Sequence, residues 1–420
     1  MRILLASDKF KGALPSPEVA AALRHALAEV FPGAEFDTCP IADGGEGTTE
    51  AMVGALSGVW AEAAVTDAQG RPRTARFGWV PAERRAILEM SAASGLALVS
   101  DRPLDPTSAS TAGTGELLRA AHKLGAERIL LGIGGSATND GGLGMALALG
   151  HRFERRGAPF VPTLATLPEA DRMLLAPPLF AEVLVACDVD NPLLGPRGAT
   201  RVYGPQKGVR DFPWFEARLS HLADLAAAAT GTDARDTPGA GAAGGLGFGL
   251  MAFAGGRLTP GFELVAAQVG LAARVARADL VITGEGRLDE QSLQGKGPVG
   301  VARLARAQGK PIVGVAGSVV DSAELRAQFD LLFGIKPAEM PLAEAMARTA
   351  ELLGAAVRAS SAWVREHVGR AGRRAAARSA AEASGHRGGR GCLGSVPWHA
   401  WLPSESTSRP LTGTGLPTGA

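Results

Sequence analysis

Short apolar runs alternate with segments of helical period near the N-terminus. Ile3 to Ala6 form an apolar run, which predicts a buried strand. From Val19 to Val30 apolar residues recur every three or four positions, which predicts a helix over residues 16–30. A strand at 36–41 and a helix at 48–56 repeat this order. Such alternation is typical of a parallel sheet covered by helices.

Residues 59–80 have a different pattern. Two apolar runs, at 59–66 and 73–80, flank a turn sequence that contains Gly and Pro, which predicts an antiparallel element. Strand–helix alternation then returns. The further elements we expect are strands at 85–90, 128–133, 182–187, 279–283, 311–315 and 330–333 and helices at 114–124, 143–150, 213–229, 298–308 and 341–358.

The last of these elements repeat the N-terminal pattern. We therefore predict an α/β fold in which residues 1–62 and 276–368 form one doubly wound domain. Residues 63–275 are expected to form a second α/β domain inserted into the first. Because doubly wound sheets bind ligands beyond the carboxyl ends of their strands, we expect the site in the cleft between the two domains.

Composition narrows the class of protein. With 46% hydrophobic residues among 420, the chain can bury a substantial core. A formal charge of +1 gives no global attraction to nucleic acid or to an anionic membrane. The three cysteines lack disulfide or metal-site spacing, and we find no signal peptide or membrane span. We expect a soluble protein of the reducing cytoplasm, with neither nucleic acid nor membrane as a partner.

Residues 369–420 differ in composition from the rest of the chain. Six arginines and one glutamate fall within residues 370–390, and no helical or strand period persists there. We expect a disordered tail, because too few apolar residues are present to form a core. A basic arm that binds RNA or DNA is the alternative.

Glycine is enriched, at 56 of 420 residues, and gathers in loops that follow predicted strands. In loop 7–12, Lys11 could reach a phosphate or a carboxylate. In loop 43–48, three glycines would let backbone N–H groups approach an anion at a helix N-terminus, which Asp43 would face. The alternative for loop 7–12 is a solvated loop between strand and helix, and the alternative for loop 43–48 is an ordinary turn.

Loop 132–142 permits two interpretations. Its first six residues match the dinucleotide pattern GxGxxA, and Glu154 follows about twenty residues later, at the spacing of a ribose-binding acid. Ser136, Thr138 and Asp140 instead suit a polyphosphate and Mg²⁺. A nicotinamide-dependent dehydrogenase is therefore the alternative to a protein that binds a nucleoside triphosphate.

Two later loops combine acids with bases. Asp188 and Asp190 would share one face if their strand continued to residue 190, giving paired oxygen ligands for a hard cation. A strand-ending turn is the alternative for this segment. In loop 283–298, Arg287 offers a guanidinium for a carboxylate, and Lys296 is long enough to reach a phosphate.

Seven motifs occur in one order along the chain: SDKFKG at 7–12, ADGGEGT at 42–48, GIGGSATNDGG at 132–142, CDVDNPL at 187–193, GPQKG at 204–208, GAGAAGGLGFG at 239–249 and TGEGRLDEQSLQGKGP at 283–298. The ordered set closely resembles the bacterial glycerate kinase family. The resemblance implies ATP-dependent phosphorylation of D-glycerate at the 2-hydroxyl, with the 3-hydroxyl as the alternative. It also implies a flavodoxin-like domain carrying an inserted α/β domain. ATP and Mg²⁺ are the expected cofactors, D-glycerate is the small-molecule partner, and the protein is expected to be a monomer or homodimer.

Phosphoryl transfer requires neutralised phosphates, a positioned acceptor hydroxyl and uptake of its proton. For glycerate we expect contacts from Arg287, Lys11 and Glu285. For the phosphates we expect Gly134, Gly135, Ser136, Thr138, Lys207 and Lys296. For Mg²⁺ we expect Asp190 with Asp188 or Asp140. The catalytic group is expected to comprise Asp43 or Asp289 as the base, together with Lys11.

Overall fold

The computed structural model describes residues 1–42, 44–45, 47–294, 297–320 and 322–366. Three of the sequence predictions lie outside these ranges: Asp43, Lys296 and the tail 369–420. Within the described ranges no helix is both long enough and apolar enough to cross a lipid bilayer.

The strands β1 to β14 have, in chain order, the bounds Arg2–Leu5, Glu35–Thr38, Val59–Thr66, Pro72–Val80, Arg85–Glu89, Arg128–Gly132, Arg152–Arg155, Ala158–Phe160, Arg172–Leu174, Glu182–Ala186, Gly256–Thr259, Leu280–Leu288, Ile312–Val319 and Leu331–Gly334. The helices α1 to α13 have the bounds Ser16–Val30, Thr48–Ala55, Ser91–Ser94, Ala112–Lys123, Leu143–Leu149, Ala199–Tyr203, Phe212–Thr230, Ala242–Ala254, Gly261–Gln268, Leu271–Arg277, Gly297–Ala307, Ala323–Arg326 and Leu342–Ala347. Residues 349–366 are also helical.

The first sheet has five strands in the order β14-β13-β12-β1-β2, and all neighbouring pairs are parallel. One face packs on α1, where Leu23 is buried beside Ile3. The opposite face packs on α10 and α11, where Val301 is buried beside Leu4. Helices therefore cover both faces, which is why the strands read as continuous apolar runs in the sequence.

The second sheet has six strands in the order β11-β10-β6-β5-β4-β3. Its first four strands are parallel, and β4 and β3 extend it as an antiparallel hairpin. One face is buried under α4, α5, α7 and α8. The mixed α/β fold predicted from the sequence is confirmed, including the antiparallel element at residues 59–80.

One buried cluster joins the two sheets. It contains Leu4 of β1, Ile87 of β5, Leu130 of β6 and Leu184 of β10. Helix α2 packs so closely on the second sheet that a Cβ atom on Gly78 would lie 2.4 Å from Val53 Cγ2. Because the apolar core is shared, sheet membership does not by itself set domain boundaries. The division into residues 1–62 with 276–368 and 63–275 stays a prediction.

Two parts of the middle segment differ from expectation. Strands β7, β8 and β9 form a small three-stranded antiparallel sheet between residues 152 and 174. They are only three or four residues long, too short to give a periodic signal. The glycine-rich stretch 239–249 enters helix α8, whose residues Ala243, Gly244 and Gly245 have left-handed backbone angles.

Candidate active site

Gly44, in loop 43–48, lies at the carboxyl ends of strands β6 and β10 of the second sheet. Gly44 has a φ of +88°, and a Cβ atom on it would lie 2.4 Å from Ala186 Cβ at the end of β10. A Cβ atom on Gly132, at the end of β6, would lie 2.5 Å from Gly44 O. Only glycine permits this approach at both positions. The loop is therefore pressed against the parallel strands of the second sheet.

Loop 7–12 and residues 284–286 lie together at the carboxyl edge of the first sheet. Asp8 N–H donates to Gly284 O at 2.8 Å. A Cβ atom on Gly286 would lie 3.1 Å from Lys11 N, so these two backbones are in contact. Lys11 itself is exposed. The structure thus brings together two loops that are separated by more than 270 residues in the sequence.

A cleft of about 370 Å³ opens where loop 43–48 meets the second sheet. Backbone from Gly44, Gly45, Gly134 and Gly135 lines part of it. Four side chains that were not predicted as site residues also line it: Leu96, Val189, Tyr203 and Gln206. Arg287 and Lys11 are not among its lining residues. The cleft is concave and mixed in character, as ligand sites usually are.

Loop 132–142 contributes only its first residues to the cleft. Gly134 and Gly135 are exposed and line it, together with Ser136. Thr138 is fully buried, so it does not line the cleft, contrary to the prediction that it contacts phosphates. A Cβ atom on Gly244 would lie 1.9 Å from Thr138 O, so helix α8 packs directly behind this residue.

Asp140 lies inside the protein rather than at a metal site. Its carboxylate accepts hydrogen bonds from Thr111 N and Thr111 Oγ1, both at 2.9 Å, from Gly142 N at 3.2 Å and from Gly144 N at 3.1 Å. Burial raises the pKa of Asp140, and these hydrogen bonds oppose that rise. Four donors occupy both oxygens, so Asp140 holds the loop to the start of α4 and α5 instead of binding Mg²⁺.

Lys207 also lies behind the cleft. It is 1% exposed, and its Nζ donates to Ser136 Oγ at 2.6 Å and to Thr138 O at 2.7 Å. Burial lowers the pKa of Lys207 from 10.5 to about 7. The side chain is directed at the back of loop 132–142 and does not line the cleft, so this arrangement does not support the predicted contact with phosphate. Lys207 instead anchors segment 204–208 to that loop.

Asp188 and Asp190 both lie beyond the end of their strand. Strand β10 ends at Ala186, so the two-residue period that would place both acids on one face does not apply. Asp188 lines the cleft and accepts from Gly261 N at 2.8 Å. Asp190 is exposed and pairs with Arg197 at 2.9 Å. Within the described ranges no cluster of three or more metal-ligating side chains occurs.

Loop 283–298 presents a cation beside two acids. Arg287 is 67% exposed, and its Nε donates to Asp289 Oδ2 at 3.2 Å. Glu285 accepts from Ser292 Oγ at 2.9 Å. Residues 285 and 287 belong to β12, which fixes their backbone positions, and Asp289 follows one residue after the strand ends. The guanidinium is therefore held at the carboxyl edge of the first sheet and is accessible to a ligand.

Glu89 is a site residue that the sequence analysis missed. It ends β5, and its Oε1 accepts from Thr49 N at the start of α2 at 2.8 Å. Burial raises its pKa, while hydrogen bonds from Thr49 and the nearby charge of Lys9 lower it. The sequence signal that could have identified Glu89 is an acidic residue near the end of the apolar run 85–90. Glu89 holds the start of α2 to the second sheet.

The dinucleotide interpretation of loop 132–142 is wrong on geometric grounds. The GxGxxA pattern requires the helix to begin within the glycine turn. Here β6 ends at Gly132 and α5 begins at Leu143. Glu154 lies on β7 and pairs with Arg172, instead of following a neighbouring parallel strand. Neither part of the fingerprint has its required structural context.

The carboxyl ends of parallel strands, where these glycine loops meet, are the place at which α/β proteins bind their ligands, and such loops suit anions. The family model described as the Glycerate kinase family matches residues 3–365. The chain is 45% identical over 362 residues to a glycerate kinase of Bacillus subtilis strain 168, covering 84% of this chain and 95% of that protein. It is also 45% identical over 328 residues to a glycerate 2-kinase of Escherichia coli K12, covering 76% and 86%.

A crystal structure of a protein assigned as glycerate kinase 2 from Salmonella typhimurium LT2 matches with a TM-score of 0.79 and 39% identity, covering 87% of this chain and 99% of that one. This chain belongs to the glycerate kinase family. It is an enzyme of the phosphotransferase class. The resemblance read from the seven motifs is confirmed.

Proposed function

We propose that the protein transfers the γ-phosphoryl group of ATP to the 2-hydroxyl of D-glycerate, giving 2-phosphoglycerate. The 3-hydroxyl is the alternative acceptor. The observation that carries the proposal is the meeting of two glycine loops at one cleft. A Cβ atom on Gly134 would lie 3.2 Å from Gly45 Cα, so loops from the two sheets are close enough to hold one polyphosphate.

The backbone of loop 132–142 is the proposed phosphate cradle. Gly134 and Gly135 are exposed in the cleft, and Ser136 adds a hydroxyl. Backbone N–H groups of this kind stabilise phosphate oxygens without needing a cationic side chain. Anchoring of Ser136 by Lys207 keeps the cradle rigid, which favours transfer by fixing the geometry before ATP binds. Lys296 stays a predicted contact to the phosphates.

Asp188 fits a Mg²⁺ ion that arrives with ATP. It is the acid among the three predicted ligands that lines the cleft. Protein-bound Mg²⁺ commonly takes one or two carboxylates together with phosphate oxygens and water, so a single acid suffices. The ion would neutralise charge on the phosphates as the phosphoryl group transfers. Asp190 and Asp140 are not proposed as ligands. Asp190 is paired with Arg197, and the buried carboxylate of Asp140 accepts internal hydrogen bonds.

Glycerate is proposed to bind at the edge formed by loops 7–12 and 283–298. Arg287 offers the planar fork of donors that a carboxylate prefers, and exposed Lys11 adds a second cation. Glu285 is positioned by Ser292 and could accept from a glycerate hydroxyl. Two cations on one edge would orient a small hydroxy acid with its hydroxyl toward the cleft.

Asp43 is the proposed base, with Asp289 as the alternative. Asp43 directly precedes Gly44 in the sequence, and Gly44 is the residue that closely approaches Ala186. Asp289 accepts from Arg287 Nε at 3.2 Å, which directs it toward substrate binding. We also propose that the enzyme is cytoplasmic and acts as a monomer or homodimer.

The test measures ADP release from Mg-ATP with D-glycerate, L-glycerate and tartronate as separate acceptors, followed by phosphorus NMR of the product. We expect D-glycerate to be preferred and the phosphate to be on the 2-hydroxyl. Asp43→Asn should reduce turnover about 100-fold or more, the scale of a positioned base. Asp190→Asn is the matched control, since this acid is paired on the surface, and should retain wild-type turnover. Failure of D-glycerate to release ADP would end the proposal.

A further inference from the structure

The cleft has a second part whose chemistry differs from that of the phosphate cradle. Leu96, Val189, Tyr203 and Gln206 line it. Leu96 N donates to Gly135 O at 2.8 Å, so this part directly adjoins the cradle. A flat aromatic ring, an amide and aliphatic side chains do not suit a triphosphate or a glycerate ion. They suit a planar heterocycle with donors and acceptors on its edge.

Tyr203 is fixed so that its ring forms a wall of the cleft. Its hydroxyl donates to Asn191 Oδ1 at 2.6 Å, which satisfies the polar end of the side chain. The residue is half-buried at the end of α6 and is the single tyrosine of the chain. A ring held in this way loses little conformational entropy when a base stacks on it. Base–aromatic stacking is accordingly favourable here.

Gln206 is fixed by its neighbour. Residues 205–207 form a single helical turn, in which Lys207 is buried against Ser136 and Gln206 is exposed at the cleft. The anchor holds the backbone of Gln206 at a constant distance from the phosphate cradle. An amide at a set distance from the phosphates can read the edge of a base, because its oxygen accepts from an exocyclic amine while its nitrogen donates to a ring nitrogen.

We propose that Tyr203 and Gln206 form the nucleobase subsite, in which Tyr203 stacks on the adenine of ATP and Gln206 determines the preference for adenine over guanine. The inference rests on the proposed use of a nucleoside triphosphate by this same cleft. It assigns the two substrates to different regions: the nucleotide lies along the second sheet, and glycerate lies at loops 7–12 and 283–298.

The first test replaces Tyr203. Tyr203→Ala should raise KM for ATP about 5- to 100-fold, the range of one base–aromatic stack. KM for D-glycerate should change less than about twofold, since its proposed contacts lie on the first sheet. Tyr203→Phe is the matched control, because it keeps the ring and loses only the bond to Asn191, and its KM for ATP should stay near wild type. A rise confined to KM for D-glycerate would overturn the proposal.

The second test replaces Gln206 in order to change the preference of the enzyme between adenine and guanine. A glutamate at this position accepts hydrogen bonds but cannot donate, which suits the two N–H donors of guanine better than the edge of adenine. Gln206→Glu should therefore lower the ratio of kcat/KM for ATP to that for GTP about 10-fold or more, as expected for one lost and one gained hydrogen bond. An unchanged ratio would exclude Gln206 as the reader of the base.

Calorimetric titration with Mg-ATP and Mg-GTP separates this inference from the proposed function. It measures nucleotide affinity in the wild-type protein, Tyr203→Ala and Gln206→Glu without any acceptor. Weaker ATP binding by Tyr203→Ala supports the subsite even if D-glycerate proves not to be the substrate. Equal affinity of the three proteins for ATP would refute the subsite even if D-glycerate is phosphorylated.

Discussion

The buried lysine behind the phosphate cradle leads to a prediction about stability. Lys207 is 1% exposed and donates to Ser136 Oγ and Thr138 O. Burial lowers its pKa from 10.5 to about 7. A neutral amine has two hydrogens, which match these two acceptors. Replacing Lys207 with methionine keeps a long flexible side chain but removes both the donors and the titration.

The sign of the effect follows from proton binding. Between pH 7 and pH 10.5 the unfolded chain retains the proton on Lys207 that the folded chain has released. The free energy of unfolding therefore rises with pH across this window, by about 1.4 kcal/mol per pH unit for one proton. The same stability is lost as the pH falls toward 7. Between pH 7.5 and pH 9.0, Lys207 alone raises the free energy of unfolding by about 2 kcal/mol.

The assay is urea unfolding at pH 7.5 and pH 9.0 for the wild type and Lys207→Met. The titration of groups common to both proteins cancels in the comparison. The free energy of unfolding should therefore rise by about 2 kcal/mol more in the wild type than in the variant between these two pH values. Lys123→Met, at an exposed lysine on α4, is the control and should keep the wild-type gain. Equal gains for the wild type and Lys207→Met would refute the reasoning, because they would mean that Lys207 titrates alike in both states.

Three further predictions concern the loops. Asp140→Asn should lower stability by about 1–3 kcal/mol, since the new amide nitrogen faces backbone donors; an unchanged melting temperature would contradict this. Gly44→Ala should reduce kcat/KM strongly, because its Cβ would lie 2.4 Å from Ala186. Gly33→Ala is the control for this variant. Gly33 has a φ of +87°, and a Cβ atom on it would have no atom within 4 Å, so the substitution should lower the free energy of unfolding by only about 1–2 kcal/mol through backbone strain and leave activity intact. Arg287→Ala should raise KM for D-glycerate at least about 10-fold, and a KM equal to that of the wild type would remove this residue from carboxylate binding.

Elements with a clear local period could be predicted from the sequence. Helix α1 and strand β3 have the expected bounds, 16–30 and 59–66, because apolar spacing and turn residues are local properties. The order of the seven motifs could likewise be seen in the sequence, and the family comparison agrees with the resemblance they indicated. The position of loops 132–142 and 187–192 after parallel strands followed from the same periodicity.

Only the folded structure decided which polar side chains of these loops face the cleft. Lys207 and Asp140 were expected to contact ATP and Mg²⁺, yet both are buried behind the loop, held by Ser136 and by Thr111. Glu89 was missed because its partner, Thr49, lies forty residues away. A charge can be buried only where distant donors or acceptors compensate its lost hydration, and no local pattern encodes whether those partners are present.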